Sequence, residues 1–366
     1  MTRLRLAVAA PHGDIAPTPE DLALVLEGNP DGVTYGEYFD ALAGFLQGEA
    51  APALAGLAAE TLGGPLPEPR EMVLRAEKHG ALYHPASVEL AYPDGRTFRG
   101  GVLAASTPLA RAVLANEAAW LNRLRERLGE PLLPRVLAAS APAGGDGPLA
   151  LALVEWFAGF CEFHLDATGT VQLWDYGQGI TPLTPAQARD LYGRAGYILG
   201  RCYDPGSGGR VFPWHHAAGD FVARPAAEGG DRMDVRLTTV RDFGPVQDPE
   251  DGATDPLAAF AAFVLETTLR LRLDRVDGVG DPAWLPAGCM EAGLSGVLAG
   301  VAEQPDPAAA LVAEACAVLA DFSRDDLLAA LAAAGDDCGP FYAQLLQEKL
   351  PQHADELAAA LTACRL

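Results

Sequence analysis

The chain has 366 residues, 49% of them apolar and 20% charged, a composition of globular units that excludes wholesale disorder and exceeds what one compact core takes up. Its formal charge of -23, from 26 Lys plus Arg against 49 Asp plus Glu, repels a phosphate backbone and an anionic bilayer alike. Nucleic acid and membrane are therefore excluded as expected partners.

Residues 1–70 open with a short strand-like run, Leu4 to Ala9, which Pro11, His12 and Asp14 break before it reaches the length of an export signal. No apolar run approaches the roughly 20 residues of a spanning helix, and the expected compartment is the cytoplasm. Thr18-Pro19-Glu20-Asp21 and Thr34-Tyr35-Gly36-Glu37 each set a Thr before a helix with an acid three residues on, the pattern of a reciprocal N-terminal cap. Tyr35, Phe39, Leu42 and Phe45 then recur at helical spacing. These features predict an N-terminal helical extension ending in Gly63-Gly64-Pro65-Leu66-Pro67-Glu68-Pro69.

Residues 71–106 change character. Met72, Leu74, Leu82, Val88, Leu90, Phe98, Val102 and Leu103 lie in short runs, and Pro93-Asp94-Gly95 is a hairpin turn between two of them. A small antiparallel sheet is expected. A helix follows, with Thr107 as cap, Pro108 at its first position and Gly129 past its end. Two further strand-like runs, Leu133 to Leu137 and Leu149 to Trp156, flank a Gly-rich loop from Ala143 to Pro148. Thr184-Pro185-Ala186-Gln187 opens another helix that runs to about Cys202, and the tract 204–210 reads as a surface connection. From Thr254 onward the pattern is helical, with one segment from Ser323 to Gly335. Sheet first and helices afterwards is an α+β order. Six cysteines without any C-x-x-C pair indicate neither a zinc site nor a disulfide framework, and read as mostly buried thiols.

The helix after the sheet carries Glu117 among Leu109, Val113, Trp120, Leu121 and Leu124, which recur at spacings of three, four and seven, so the carboxylate is expected to face inward. An unpaired ion there costs several kcal/mol unless a cation meets it. The plainer alternative is an acid at the margin of the stripe. Arginine carries nearly all the positive charge; the only lysines are Lys78 and Lys349.

This order of strand, turn, strand and Glu-bearing helix resembles the small lobe of the protein-kinase-like fold, in which a sheet lysine pairs with a helix glutamate and holds nucleotide phosphates. The strand from Thr97 to Leu103, where the family has that lysine, offers Arg99 instead, and Lys78 lies near the family's phosphate-covering loop. A second likeness is to the aminoglycoside and choline phosphotransferase branch. Val211-Phe212-Pro213-Trp214-His215-His216-Ala217-Ala218-Gly219-Asp220-Phe221-Val222 resembles its catalytic loop, and Val235-Arg236-Leu237-Thr238-Thr239-Val240-Arg241-Asp242-Phe243-Gly244 its metal-binding hairpin. Leu151 to Phe157 would be the last sheet strand and the hinge.

The resemblance implies a two-lobed fold. Residues 1–70 form the helical extension, 71–157 the sheet-rich N-lobe with its helix and hinge, and 158–366 a mostly helical C-lobe. It implies ATP and Mg2+ as cofactors, Asp220 as catalytic base, Asp242 and His216 toward the metal, and Lys78, Glu117, Glu155 and Phe157 around the nucleotide. The chain departs from the family in two further places. Its last asparagine is Asn122, so the second metal ligand is missing; Pro225 stands at that spacing, and Ala218 takes the place of the usual histidine. Three readings stay open: a phosphotransferase acting on a small-molecule or protein hydroxyl, a pseudokinase-type nucleotide- or ligand-binding module, and a metal-dependent hydrolase using His215 and His216 with Asp220.

Overall fold

The computed structural model describes residues 2–10, 13–28, 32–77, 80, 82–140, 149–175, 178–227, 229–245 and 255–364. The chain folds as α+β and divides into two compact units, the first built from residues 1–127 and 134–158, the second from 128–133 and 159–366.

In the first unit, strands β1 (Arg3–Val8), β2 (Glu71–Ala76), β3 (Ala86–Ala91), β4 (Thr97–Ala105), β5 (Val136–Ala139) and β6 (Ala150–Glu155) form one sheet in the order β1-β2-β3-β4-β6-β5. Only the β1–β2 pair is parallel. Alternation of side chains lets each strand serve two cores. Leu151 and Leu153 of β6 join Leu74, Val88, Leu90, Phe98 and Val102 on the face covered by helices α2 (Tyr35–Gln47) and α3 (Ala51–Leu62). Ala152 and Val154 turn to the opposite face, against Ala110 and Leu114 of α4 (Pro108–Leu128).

The boundary expected at residue 70 therefore does not separate packing units. β1 adds a strand to the sheet edge, and Tyr38, Phe39, Leu42 and Phe45 of α2 fill the sheet's own core. The short helix α1 (Pro19–Leu22) and α2 carry the two Thr-acid boxes with both arms formed. The Pro93-Asp94-Gly95 turn joins β3 to β4, with Gly95 at φ +88° donating to the Tyr92 carbonyl. The expected Gly-rich loop from Ala143 to Pro148 lies outside the described residues.

The second unit, expected to be mostly helical from residue 158, begins instead with a three-stranded meander: β7 (Glu162–Leu165), β8 (Val171–Asp175) and β9 (Gly179–Pro182). Helix α5 (Pro185–Cys202) follows, capped by Thr184 and Gln187. Next come β10 (Arg210–Val211), the hairpin β11 (Phe221–Pro225) and β12 (Met233–Leu237), and β13 (Phe243–Gly244). The remainder is α6 (Pro256–Arg272), β14 (Leu273–Arg275), β15 (Pro282–Trp284), α7 (Ala287–Ala302), α8 (Ala308–Asp321), α9 (Arg324–Gly335) and α10 (Ala343–Ala363). The β14–β15 pair interrupts a region expected to be wholly helical.

Helices α5 and α7 meet backbone to backbone. A Cβ on Gly196 would lie 2.1 Å from the Gly293 carbonyl oxygen, and one on Gly296 would lie 1.9 Å from that of Gly193. Gly200 and Gly300 are equally close to the partner helix. No side chain fits in that seam, so glycines three and four residues apart decide the packing, as in close-crossing membrane helices. Among the described residues no helix is long and apolar enough to cross a membrane.

Candidate functional site

Two pairings build the loop around Asp220. Strand β10 runs antiparallel to β13, with Val211 opposite Phe243, and the Phe212 amide donates to the Asp242 carbonyl at 3.2 Å. The β11–β12 hairpin then closes on itself. Its first residue follows Asp220, its last precedes Thr238, and the Thr238 amide donates to the Asp220 carbonyl at 2.8 Å. The two segments that resemble the catalytic loop and the metal-binding hairpin are thus brought side by side.

Their carboxylates do different work. Asp220 is 2% exposed. Arg241 grips it through two bonds, Nη1 to Oδ2 at 2.8 Å and Nη2 to Oδ1 at 2.5 Å, and the His215 backbone N–H donates to Oδ2 at 2.8 Å. This fork-to-carboxylate geometry is the strongest that an arginine makes with an acid. Gly219, just before Asp220, has a φ of +75° that suits glycine, and its missing side chain leaves room for Glu162, whose Oε1 would stand 2.7 Å from a Cβ there. Asp242 is exposed, and its Oδ1 accepts from the amide of the following Phe243 at 2.8 Å.

The neighbouring histidines, His215 half-buried and His216 buried, are held neutral. His215 Nε2 lies 2.9 Å from the Tyr342 hydroxyl, and burial together with the adjacent His216 pushes its pKa down to about 3. His216 is fully enclosed, stacked on Phe163 and edge-on to Tyr192, and burial lowers its pKa as well. Its Nδ1 faces the buried Asp274 carboxylate at 3.9 Å. His164 approaches Asp274 at 3.8 Å and Glu162 at 3.6 Å. Burial opposes its protonation, but the two acids outweigh that and push it up to about 9. Among the described residues no three His, Cys, Asp or Glu side chains are grouped so as to hold a metal ion.

In the sheet-bearing unit Glu117 is 1% exposed, and the Tyr83 hydroxyl donates to its Oε2 at 2.7 Å. The inward turn of this acid is as expected, but the stripe is drawn by Ala110, Leu114, Leu121, Leu124 and Leu128, whereas Leu109 is 68% exposed. Leu109 stands one residue round the helix from the buried Ala110. Glu155, at the end of β6, pairs with Arg125 at 2.8 Å and with Arg135 at 3.7 Å. Phe157 is half-buried, and Lys78 lies outside the described residues.

The residues present do not fit ATP and magnesium as phosphoryl-transfer groups. Asp220 is buried and gripped by Arg241 on both oxygens, His216 is sealed among aromatic rings, and no asparagine follows Asn122. The sequence assigns no role to Arg241, Tyr83, Asp274 or Tyr342. Only Arg241 carried a local signal, a cation placed immediately before the candidate metal ligand.

No protein-family model matches the chain, and no curated protein matches it. Among solved structures it is similar to the Drosophila melanogaster PAN3 pseudokinase, at 13% sequence identity and a TM-score of 0.25, over 80% of this chain and 69% of that one.

Proposed function

We propose that this chain is a kinase-like module of the pseudokinase type, one that binds a nucleotide or a related ligand and transfers no phosphoryl group. The clamp on Asp220 carries this reading. A general base must face the acceptor hydroxyl with a free lone pair, and here a bidentate arginine and a backbone amide take three of the carboxylate's four acceptor positions while the side chain is 2% exposed. The missing asparagine points the same way, since it would have held the second metal ion. The kinase-like part of the proposal is supported by the six-stranded sheet, by the following helix with its buried Glu117, and by the β10–β13 pairing that sets the two motif-like segments together. ATP is on this reading a ligand and not a substrate.

The test is ADP release from ATP and magnesium by the full chain, read beside a thermal shift with ATP. Release at background level, unchanged in Asp242→Ala, is expected together with a rise in Tm at saturating ATP. Magnesium-dependent release that Asp242→Ala abolishes would establish an enzyme and overturn the proposal. An unchanged Tm would remove the nucleotide.

A further inference from the structure

Helix α6 ends on an arginine that has been taken fully out of solvent. Arg272 lies over the face of Trp284, with Cζ 4.8 Å from the ring centroid, and its Nη2 forms an ion pair with Oε2 of Glu356 on α10 at 2.8 Å. His353, three residues before Glu356 on the same helix, is also fully buried and meets Trp284 at a right angle, the ring centroids 5.8 Å apart. Five nitrogens of this cluster are enclosed and have no hydrogen-bond partner among the described residues: Nε and Nη1 of Arg272, Nε1 of Trp284, and both ring nitrogens of His353.

Burial and the nearby Arg272 push His353 down to about 3, so its ring is neutral and offers one donor and one acceptor. Cys289, whose charge would act on Arg272, stays a thiol because burial pushes it up to about 11. The protein therefore supplies N–H groups from Arg272, Trp284 and His353, and acceptors on His353 and Glu356. Buried polar atoms are left without partners only rarely. So many in one place call for a guest that accepts several bonds and also donates. An anion is disfavoured, because the Glu356 carboxylate already neutralises Arg272 and would repel a second negative charge. An apolar guest would satisfy none of the atoms.

We infer that Arg272, Trp284 and His353 form an internal water site joining α6, β15 and α10. Such water is small and neutral, holds two to four polar partners, and keeps the guanidinium solvated where bulk solvent does not reach. Burial lowers the pKa of Arg272, and water at its free edge opposes that.

The test uses the wild-type full chain. The Trp284 indole N–H resonance is assigned by its loss in Trp284→Phe, or by its displacement in His353→Gln should the first variant not fold. Water cross-peaks to this proton are expected with opposite signs in NOE and ROE spectra, the mark of a water that tumbles with the protein. A crystal structure that resolves solvent should place an oxygen within hydrogen-bond distance of at least two of the five nitrogens. Absence of the water cross-peak, or a cluster that closes on itself without solvent, would overturn the inference. So would displacement of the Trp284 resonance by inorganic phosphate or chloride at constant ionic strength, which would assign the site to an anion.

Discussion

Asp220 is held in the second unit by a bidentate ion pair with Arg241. With Asp220 2% exposed and the Arg241 side chain 24% exposed, their bidentate pair falls between the ~0.5 kcal/mol of exposed pairs and the ~4 kcal/mol lost when one member of a buried pair is removed. Asp220→Asn is expected to cost about 2 kcal/mol in denaturant unfolding, Arg241→Gln a similar amount, and the double variant clearly less than the sum. Additive losses would mean that the two side chains do not support one another. Gly-Asp before a strand was legible in the sequence as a motif. Its use was not, because Arg241 reaches Asp220 only after the β11–β12 hairpin has folded back. A carboxylate's role depends on which donor arrives, and chain order does not state that.

Elements were more legible where short-range chemistry fixes them. The caps at Thr18, Thr34, Thr184 and Ser323 formed as their three-residue spacing required, because both partners of each box lie within one helical turn. The α5–α7 seam was not legible. Gly193, Gly196 and Gly200 lie about a hundred residues from Gly293, Gly296 and Gly300, and a glycine inside a helix by itself reads only as a weak helix former. Gly196→Ala is expected to cost about 3 kcal/mol or to prevent folding, since the new Cβ would press on a carbonyl oxygen of the facing backbone, which cannot rotate away. Gly56→Ala, at an exposed position of α3 with open space around the new Cβ, is expected to stabilise by about 0.5 to 1 kcal/mol. Thermal and chemical unfolding of the two variants checks both; equal effects would deny the seam its role.

At the scale of the whole molecule, histidines withdrawn from solvent contribute to how stability depends on pH. His164 is pushed up to about 9, above its ordinary value near 6.5. Its contribution is therefore fully present below about 6.5 and is lost as pH rises through about 9. His215 and His353 are pushed down to about 3, so theirs are present above about 6.5 and are lost as pH falls toward 3. Unfolding free energy should peak near pH 6.5 to 7 and decline on both sides. His164→Gln should flatten the decline between pH 6.5 and 9 and leave the acid limb in place; an unaltered alkaline slope would show that His164 does not carry it.

The amino-acid sequence alone determined the acidic charge, the α+β order of elements, the capped helix starts, the β3–β4 turn and the inward face of Glu117. Each of these is set by residues within a turn or two of one another, or by composition. Tertiary structure decided that β1, α2 and α3 belong to the sheet, that glycines weld α5 to α7, and that Arg241 closes over Asp220. These contacts join residues separated by tens of positions or more, and their partners are chosen by packing and by charge compensation after the chain has folded back, so no local spacing encodes them.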